Sequence, residues 1–280
     1  MQFHRPETLE AALHLLSEEP VRLLAGGTDF FPALAGKTTA EPVVDLCRIK
    51  SLNGISRSDG AWRFGATTSW SDIRDADLPA QFLALQQAAR EVGSIQIQNA
   101  GTIAGNLCNA SPAADGVPPL LALDADVEIA GPAGVRRVPL ERFITGVRRT
   151  VLQPGEIVTA VLVPEKTGTH SAFLKLGARR YLVISIAMVA VALDCADDGK
   201  ISEISVAVGS CSQVARRLPS VEAALAGTPA EPTEVKACLK DVDLAPLAPI
   251  DDVRAPADYR LIAVRELIGR AVLMAAQEGR

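Results

Sequence analysis

The 280-residue sequence predicts an α+β protein in three consecutive regions. Three observations carry this reading. Short apolar runs ending in glycine alternate with helical patterns at the start, the same alternation returns around a long Gly-rich segment, and two long apolar runs flanking an Asp-Asp-Gly turn precede a set of helices.

In the first region Leu9, Ala12, Leu13 and Leu16 recur at helical spacing with Thr8 placed to cap them, which predicts a helix inside a βαβ-like unit. Arg22 to Ala25 reads as a strand that Gly26 and Gly27 break, followed by a short helix from Phe30 to Leu34. Pro42 to Leu46 supplies the next strand, with Asp45 and Arg48 at its exit. The second region starts near Ile55, with a strand around Trp62 to Ala66 and a helical stretch from Pro79 to Val92. Asp115, Gly116, Pro118 and Pro119 mark the start of a helix through Leu120 to Leu123, because proline suits a first helical turn. Asp126 to Ala130 and Val135 to Leu140 form a hairpin around Gly131, Pro132, Ala133 and Gly134. The third region begins near Gly168. Val183 to Leu193 and Ile201 to Val208 read as antiparallel strands, followed by helices at Val221 to Ala226, Glu234 to Leu239 and after Pro256. The alanine-rich, proline-punctuated stretch from Gly227 to Pro256 reads as a connector.

Hydrophobic residues at 48% and charged residues at 22% describe a globular chain, not a disordered one. The longest apolar run, Leu182 to Leu193, is broken by Ser185 and falls short of the roughly 18 residues of a spanning helix. The N-terminus lacks the pattern of a secretory signal, so cytoplasmic residence is expected. A net charge of -5 gives no basic footprint for nucleic acid. The five cysteines form no C-x-x-C pair and read as free thiols, a poor set for an iron–sulfur cluster. His4, His14 and His170 lie far apart without metal-ligand spacing and read as surface residues.

Two segments carry chemistry. In Leu23, Leu24, Ala25, Gly26, Gly27, Thr28, Asp29, a strand ends in two glycines and feeds a helix, which leaves backbone N–H groups free to hold a phosphate. Asp29 is unexpected beside an anion; one consistent arrangement has its carboxylate accept backbone N–H bonds and shape the loop. A lone Gly-Gly is also compatible with an ordinary strand-to-helix turn. The segment matches neither a dinucleotide fingerprint, since no third glycine falls at G-x-G-x-x-G spacing, nor a Walker loop, since Gly-Lys-Ser/Thr is missing. The second segment, from Gln98 to Asp115, is rich in small residues, hydroxyls and amides and reads as backbone wrapped around a polar ligand, or as a connection in which Asn and Ser bond their own backbone.

Together these segments resemble the FAD-binding medium subunits of molybdenum hydroxylases, the family of xanthine, carbon monoxide and aromatic-acyl-CoA enzymes, over almost the whole chain. The family's Ala-Gly-Gly-Thr-Asp stands here as Ala25 to Asp29, and its Thr-Ile-Gly-Gly-Asn with a following Ser-Pro and Asp stands as Thr102 to Asn106, Ser111, Pro112 and Asp115. Asp258, Tyr259 and Arg260, with Arg270, look like the family's closing helix. The resemblance implies a two-part FAD-binding region of the PCMH/vanillyl-alcohol-oxidase type, in subdomains 1–54 and 55–167. It implies a C-terminal domain, 168–280, of the carbon monoxide dehydrogenase flavoprotein type, with antiparallel sheet and helices.

It further implies that Leu24, Ala25, Gly26, Gly27, Thr28, Asp29 and Phe30, together with Thr102, Ile103, Ala104, Gly105 and Asn106, hold the FAD pyrophosphate. Asp115 would bond ribitol or sugar hydroxyls, Lys175 would contact the flavin and stabilise negative charge there, and Leu152 would be a further cofactor-binding position. The alternative for Lys175 is a solvent-exposed helix lysine. Ala104 stands where the family has glycine, which is compatible with a negative φ and strained with a positive one. FAD is expected to be non-covalent, because Thr28 follows Gly27 where oxidases with attached flavin have histidine. No catalytic residue set and no metal site is expected in this chain. The molybdenum cofactor would belong to a large molybdopterin-binding subunit and the iron–sulfur clusters to a small one, with the acceptor open between NAD, oxygen, a quinone and a carrier protein. The implied function is electron transfer from the iron–sulfur partner to that acceptor. A self-contained FAD-dependent oxidase or reductase is the alternative.

Overall fold

The computed structural model describes residues 2–278. In chain order the first part forms β1 (Phe3–His4), α1 (Leu9–Glu18), β2 (Arg22–Leu24), α2 (Phe30–Leu34), β3 (Val43–Asp45), β4 (Ile55–Ser58), β5 (Ala61–Gly65) and α3 (Trp70–Asp75). The middle forms α4 (Leu83–Glu91), α5 (Ile95–Ala100), α6 (Ile103–Asn109), α7 (Val117–Ala122), β6 (Asp126–Gly131), β7 (Gly134–Pro139), α8 (Leu140–Phe143), β8 (Ile144–Gly146), β9 (Arg149–Thr150) and β10 (Ile157–Pro164). The remainder forms β11 (His170–Leu176), β12 (Ala187–Cys195), β13 (Ile201–Gly209), β14 (Arg216–Arg217), α9 (Pro219–Leu225), α10 (Pro232–Leu239) and α11 (Ala257–Glu278).

Two compact units result, and neither is a continuous stretch of chain. One contains the segment ending at Ile73 with Ser94–Ala110 and Ala125–Glu165; the other contains Arg74–Gly93, Ser111–Asp124 and the chain from Lys166 on. The helices α4 and α7 therefore pack with the C-terminal sheet rather than with the strands that flank them in sequence.

The first unit holds two larger sheets. β1, β3 and β2 form a parallel sheet in that order, with Leu24 opposite Asp45 at the end of the register. The crossover helix α1 starts where the sequence places it, with the Thr8 hydroxyl accepting from the Ala11 N–H at 3.2 Å. The second sheet, β4-β5-β10-β6-β7, is antiparallel throughout, and its β6–β7 hairpin turns at Gly131 and Gly134. The sequence reading assigns no strand to β10, the central member. Every residue of β10 except Pro164 is buried, so its polar–apolar alternation is lost and only a run rich in Val and Ile between Gly155 and Pro164 marks it. Helix α6 packs on β10 and β5.

The second unit is built on the antiparallel sheet β11-β12-β13-β14. Val189, Val191, Val206 and Val208 of the sheet are buried against Val264, Ile268, Val272 and Ala275 of α11, and α9 and α10 close the same core. β12 begins at Ala187, four residues later than the sequence indicates. Residues 182–186 precede it as a loop in which Leu182 has φ 53 and is exposed, so apolar character alone misplaces that strand's start. His170 also departs from expectation: it sits half-buried on β11, with a buried Nδ1 that has no hydrogen-bond partner among the described residues. None of the five cysteines forms a disulfide among the described residues. Among the described residues no helix is long and apolar enough to cross a membrane.

Candidate functional site

The first Gly-rich segment is a sharp passage from the edge strand β2 into α2. Gly27 takes φ 71, a conformation open to glycine at little cost, and turns the chain beneath the Phe31 ring. The N–H groups of Phe31 and Ala33 are used inside the turn, donating to the carbonyls of Gly27 and Asp29. Those of Gly26, Gly27, Thr28, Asp29 and Phe30 have no acceptor among the described residues. Five successive unpartnered amides at a strand end and helix start form a concave, positively polarised backbone surface of the kind that holds phosphate.

Gly26 has a further constraint. A Cβ there would run into the Ala100 carbonyl, so the first loop lies directly against the second segment, backbone on backbone. Gly101 lies at the same contact, where an added Cβ would stand 3.5 Å from the Thr28 hydroxyl.

The second segment is not an extended wrap. Two short helices, α5 and α6, occupy it, capped by the Ser94 and Thr102 hydroxyls. At the start of α6 the Ile103 N–H donates to Thr68 O at 3.0 Å, the Ala104 N–H to Ala66 O at 3.2 Å, and the Gly105 N–H to Thr102 Oγ1 at 3.1 Å. The donors that would make this helix start an anion site are thus consumed inside the fold. Ala104 is helical and absent from the positive-φ positions, so its methyl is accommodated without strain. Gly105 is exposed, and the buried Oδ1 of Asn106 lacks a partner.

Asp29 does not shape the loop. It precedes α2 in a helical conformation with no side-chain capping bond, and its carboxylate is 61% exposed and 3.9 Å from Arg148. Arg148 is the functional candidate the sequence does not indicate. It stands between β8 and β9 at φ 58, its backbone N–H donates to Ala110 O at 2.9 Å, and its guanidinium bonds both oxygens of Asn109. That cation stands beside the first loop, but nothing in its sequence surroundings marks it. Leu152 is half-buried just after β9.

The second unit contains the other two expected residues, and they are partners. The Lys175 ammonium lies 2.7 Å from Asp115 Oδ2 and 3.2 Å from Glu91 O, while the Ser185 hydroxyl donates to Asp115 Oδ1 at 2.8 Å. The Lys175 and Asp115 side chains are only 6% and 8% exposed. Lys175 therefore lies on a buried strand, not on an exposed helix. Burial pushes the Asp115 carboxyl above its ordinary range, against the opposing pull of Lys175 and Ser185. Of the three ammonium donors of Lys175, two are used and one has no acceptor among the described residues.

The chain is a protein of mixed helix and sheet whose first unit has a strand-to-helix turn rich in free amides and whose second unit has a buried Lys–Asp pair. Residues 1–166 match the family model described as the FAD binding domain in molybdopterin dehydrogenase, and residues 172–275 match the CO dehydrogenase flavoprotein C-terminal domain. The chain belongs to this family of FAD-binding subunits of molybdopterin dehydrogenases. It is 32% identical to the xanthine dehydrogenase FAD-binding subunit of Escherichia coli O157:H7, over 96% of this chain and 94% of that one. It is 31% identical to the nicotine 6-hydroxylase medium subunit of Paenarthrobacter nicotinovorans, over 98% and 97%. The structure of reconstituted CO dehydrogenase from Oligotropha carboxidovorans aligns with a TM-score of 0.90 at 29% identity, covering 99% of this chain and 98% of that chain.

Proposed function

We propose that this chain is the electron-transfer flavoprotein subunit of a heteromeric molybdenum hydroxylase, paired with a molybdopterin-binding large subunit and an iron–sulfur small subunit. The observation that carries the flavin assignment is the row of five unpartnered amides from Gly26 to Phe30. Those donors bind the pyrophosphate of a non-covalently held FAD, with Arg148 adding positive charge nearby. Thr102, Ile103, Ala104, Gly105 and Asn106 act mainly as the wall behind that cradle, with exposed Gly105 leaving room for the ligand. Lys175, held by Asp115 and Glu91, keeps one donor free to stabilise negative charge, and Leu152 contributes apolar contact. FAD supplies chemistry that the side chains do not, accepting electrons singly and releasing them as a pair to an external acceptor. The names of the relatives, a FAD-binding subunit and a medium subunit, support a component role rather than a self-contained enzyme.

The test is anaerobic mixing of a reducing heterocycle or aldehyde with the flavin-loaded chain alone and with the assembled complex, following the flavin absorbance band. Rapid bleaching in the complex alone is expected. Fast bleaching of the isolated chain would instead identify an independent flavoenzyme. Denaturation should release all of the flavin, and retained flavin would contradict non-covalent binding.

A further inference from the structure

Helix α11 has, beside its core side, a second face that is only partly apolar: Ile262 is exposed on it, Leu273 also packs against the core, and Glu266 interrupts it. Its inner side is buried in the core of the second unit. A second stripe runs Tyr259, Ile262, Glu266, Gly269, Leu273, spaced alternately by three and four residues, the repeat that keeps one seam turned toward a partner helix. Ile262 is 69% exposed on this stripe. Together α10 and α11 border a groove of about 750 Å³ that takes in Ile262, Gly269 and Leu273.

Gly269 sharpens this reading. An added Cβ there would meet only Leu239 Cδ1, at an ordinary 3.5 Å, and its φ is not positive, so neither backbone conformation nor packing on α10 demands glycine. Glycine in a helix interior costs about 0.5–1 kcal/mol relative to alanine. At the midpoint of a seam it lets another helix approach closely. The groove's rim is cationic. Lys236 on α10 and Lys240 just past its end are exposed and have no carboxylate partner among the described residues. Arg265 is committed to the α10 end, donating to Leu239 O and Val242 O, and Arg270 pairs with Glu266 at 2.7 Å. This local positive excess stands on a chain of net charge -5. The turn leading into α11 is held firmly, because buried Arg260 donates to Asp252 at 2.7 Å; there Val253 is presented 99% exposed.

We propose that the α10–α11 groove docks an amphipathic acidic helix of a partner protein. Apolar residues at i, i+3, i+4 and i+7 of that helix lie on Ile262, Gly269 and Leu273, and flanking carboxylates meet Lys236 and Lys240. A second copy of this chain docking through the same face would bring both sets of lysines into one interface without adding carboxylates beyond Glu266, which disfavours that occupant. The surface contains no residue of the flavin loops, so its test stands apart from the flavin assignment.

The probe is a labelled synthetic helix of about 18 residues, five turns, with leucine at the seam positions and glutamate flanking them, titrated with the flavin-loaded full chain by fluorescence anisotropy. Micromolar binding is expected, weakened at least about tenfold by Lys236→Glu with Lys240→Glu, by Ile262→Asp, and by lysine in place of the peptide's glutamates, with flavin content unchanged. Failure of the acidic peptide to bind at about 100 μM, or equal binding to the charge-reversed chain, overturns the proposal. So does groove-dependent self-association by sedimentation, or groove-dependent binding to phosphatidylserine–phosphatidylcholine vesicles in place of the peptide.

Discussion

The two Gly-rich segments of the first unit look alike in sequence and use their backbone donors in opposite ways. At Gly26 to Phe30 five amides are left without acceptors, whereas at Ile103 to Gly105 the donors are satisfied by Thr68, Ala66 and Thr102. Glycine has a different task in each. Gly26 is small because the Ala100 carbonyl stands against it; Gly105 is an exposed helical residue near only the Thr102 side chain. Composition therefore identifies such segments, and donor accounting separates the one whose amides are free from the one whose amides are used inside the fold. The same accounting applies to Lys175, with two donors used and one left.

The largest effect on FAD binding should come from Gly26→Ala. A single methyl collides with the carbonyl of Ala100, which belongs to the backbone and cannot rotate aside. Separating the loops is expected to cost about 1–3 kcal/mol as overpacking and to weaken FAD at least about tenfold by distorting the amide row. Flavin release and thermal unfolding should both report it. Normal affinity with a normal melting temperature would mean that the close approach of the loops is unimportant.

Lys175→Met comes next and probes the second unit. It leaves Asp115 buried with only Ser185 as partner, a change expected to cost about 3–5 kcal/mol near neutral pH if the carboxylate stays charged. Burial already raises this carboxyl, so the folded state holds its proton more tightly than the unfolded state does. Stability linked to Asp115 is then fully present below the ordinary carboxylate value of about 3.9 and is lost as pH rises through the raised folded value. Without the ammonium the folded value rises further. The melting deficit of Lys175→Met relative to the parent should therefore shrink as pH falls from neutral toward 5. Calorimetry giving a deficit independent of pH would show that Asp115 is not the group responding.

What the sequence made legible follows from how local each signal is. The α1 cap at Thr8, the β6–β7 hairpin and the β2-to-α2 turn rest on neighbours a few residues apart, and the structure has all three. β10 was missed because burial on both faces erases alternation. The α5 and α6 helices look like a loop in the sequence although Ser94 and Thr102 stand at cap positions, because small and amide residues outweigh the caps. Asp115 and Lys175 were each singled out by family resemblance, but their bond joins positions 60 apart and no spacing rule encodes it. Arg148 lay beyond reach for the same reason: its proximity to Asp29 is made only by the fold.

Gly105→Asp separates binding from stability in the second segment. An acidic residue in the first turn of α6 is favourable toward the helix dipole by about 0.3–1 kcal/mol, but its Cβ would stand 2.8 Å from the capping Thr102 Oγ1 and disturb a cap worth about 1 kcal/mol, so the net change in unfolding should be small. A negative charge at this exposed position would nevertheless repel a pyrophosphate held by the neighbouring loop, and FAD affinity is expected to fall about tenfold. Because Coulomb repulsion between exposed charges is screened, the loss should diminish at high salt. Unchanged affinity at low salt would move the ligand away from α6.

Thr102→Ala should give the smallest effect on the ligand and tests the comparison most directly. The Thr102 hydroxyl accepts from the Gly105 N–H at 3.1 Å, and removing such a cap costs about 1 kcal/mol, seen as a lower melting temperature of the unit. The substitution also releases a backbone donor at the start of α6. If this segment supports the cradle without lending it amides, the freed donor lies outside the pyrophosphate contacts, and FAD affinity should change less than about threefold, under 0.7 kcal/mol. If affinity instead rises clearly while stability falls, the freed amide has joined the anion site, and the two segments are clamps of equal rank. Isothermal titration of the flavin-free variant with FAD, beside a melting curve of the same sample, distinguishes these outcomes because a structural account lowers the melting temperature with affinity nearly unchanged, whereas a ligand-binding one raises affinity as the melting temperature falls.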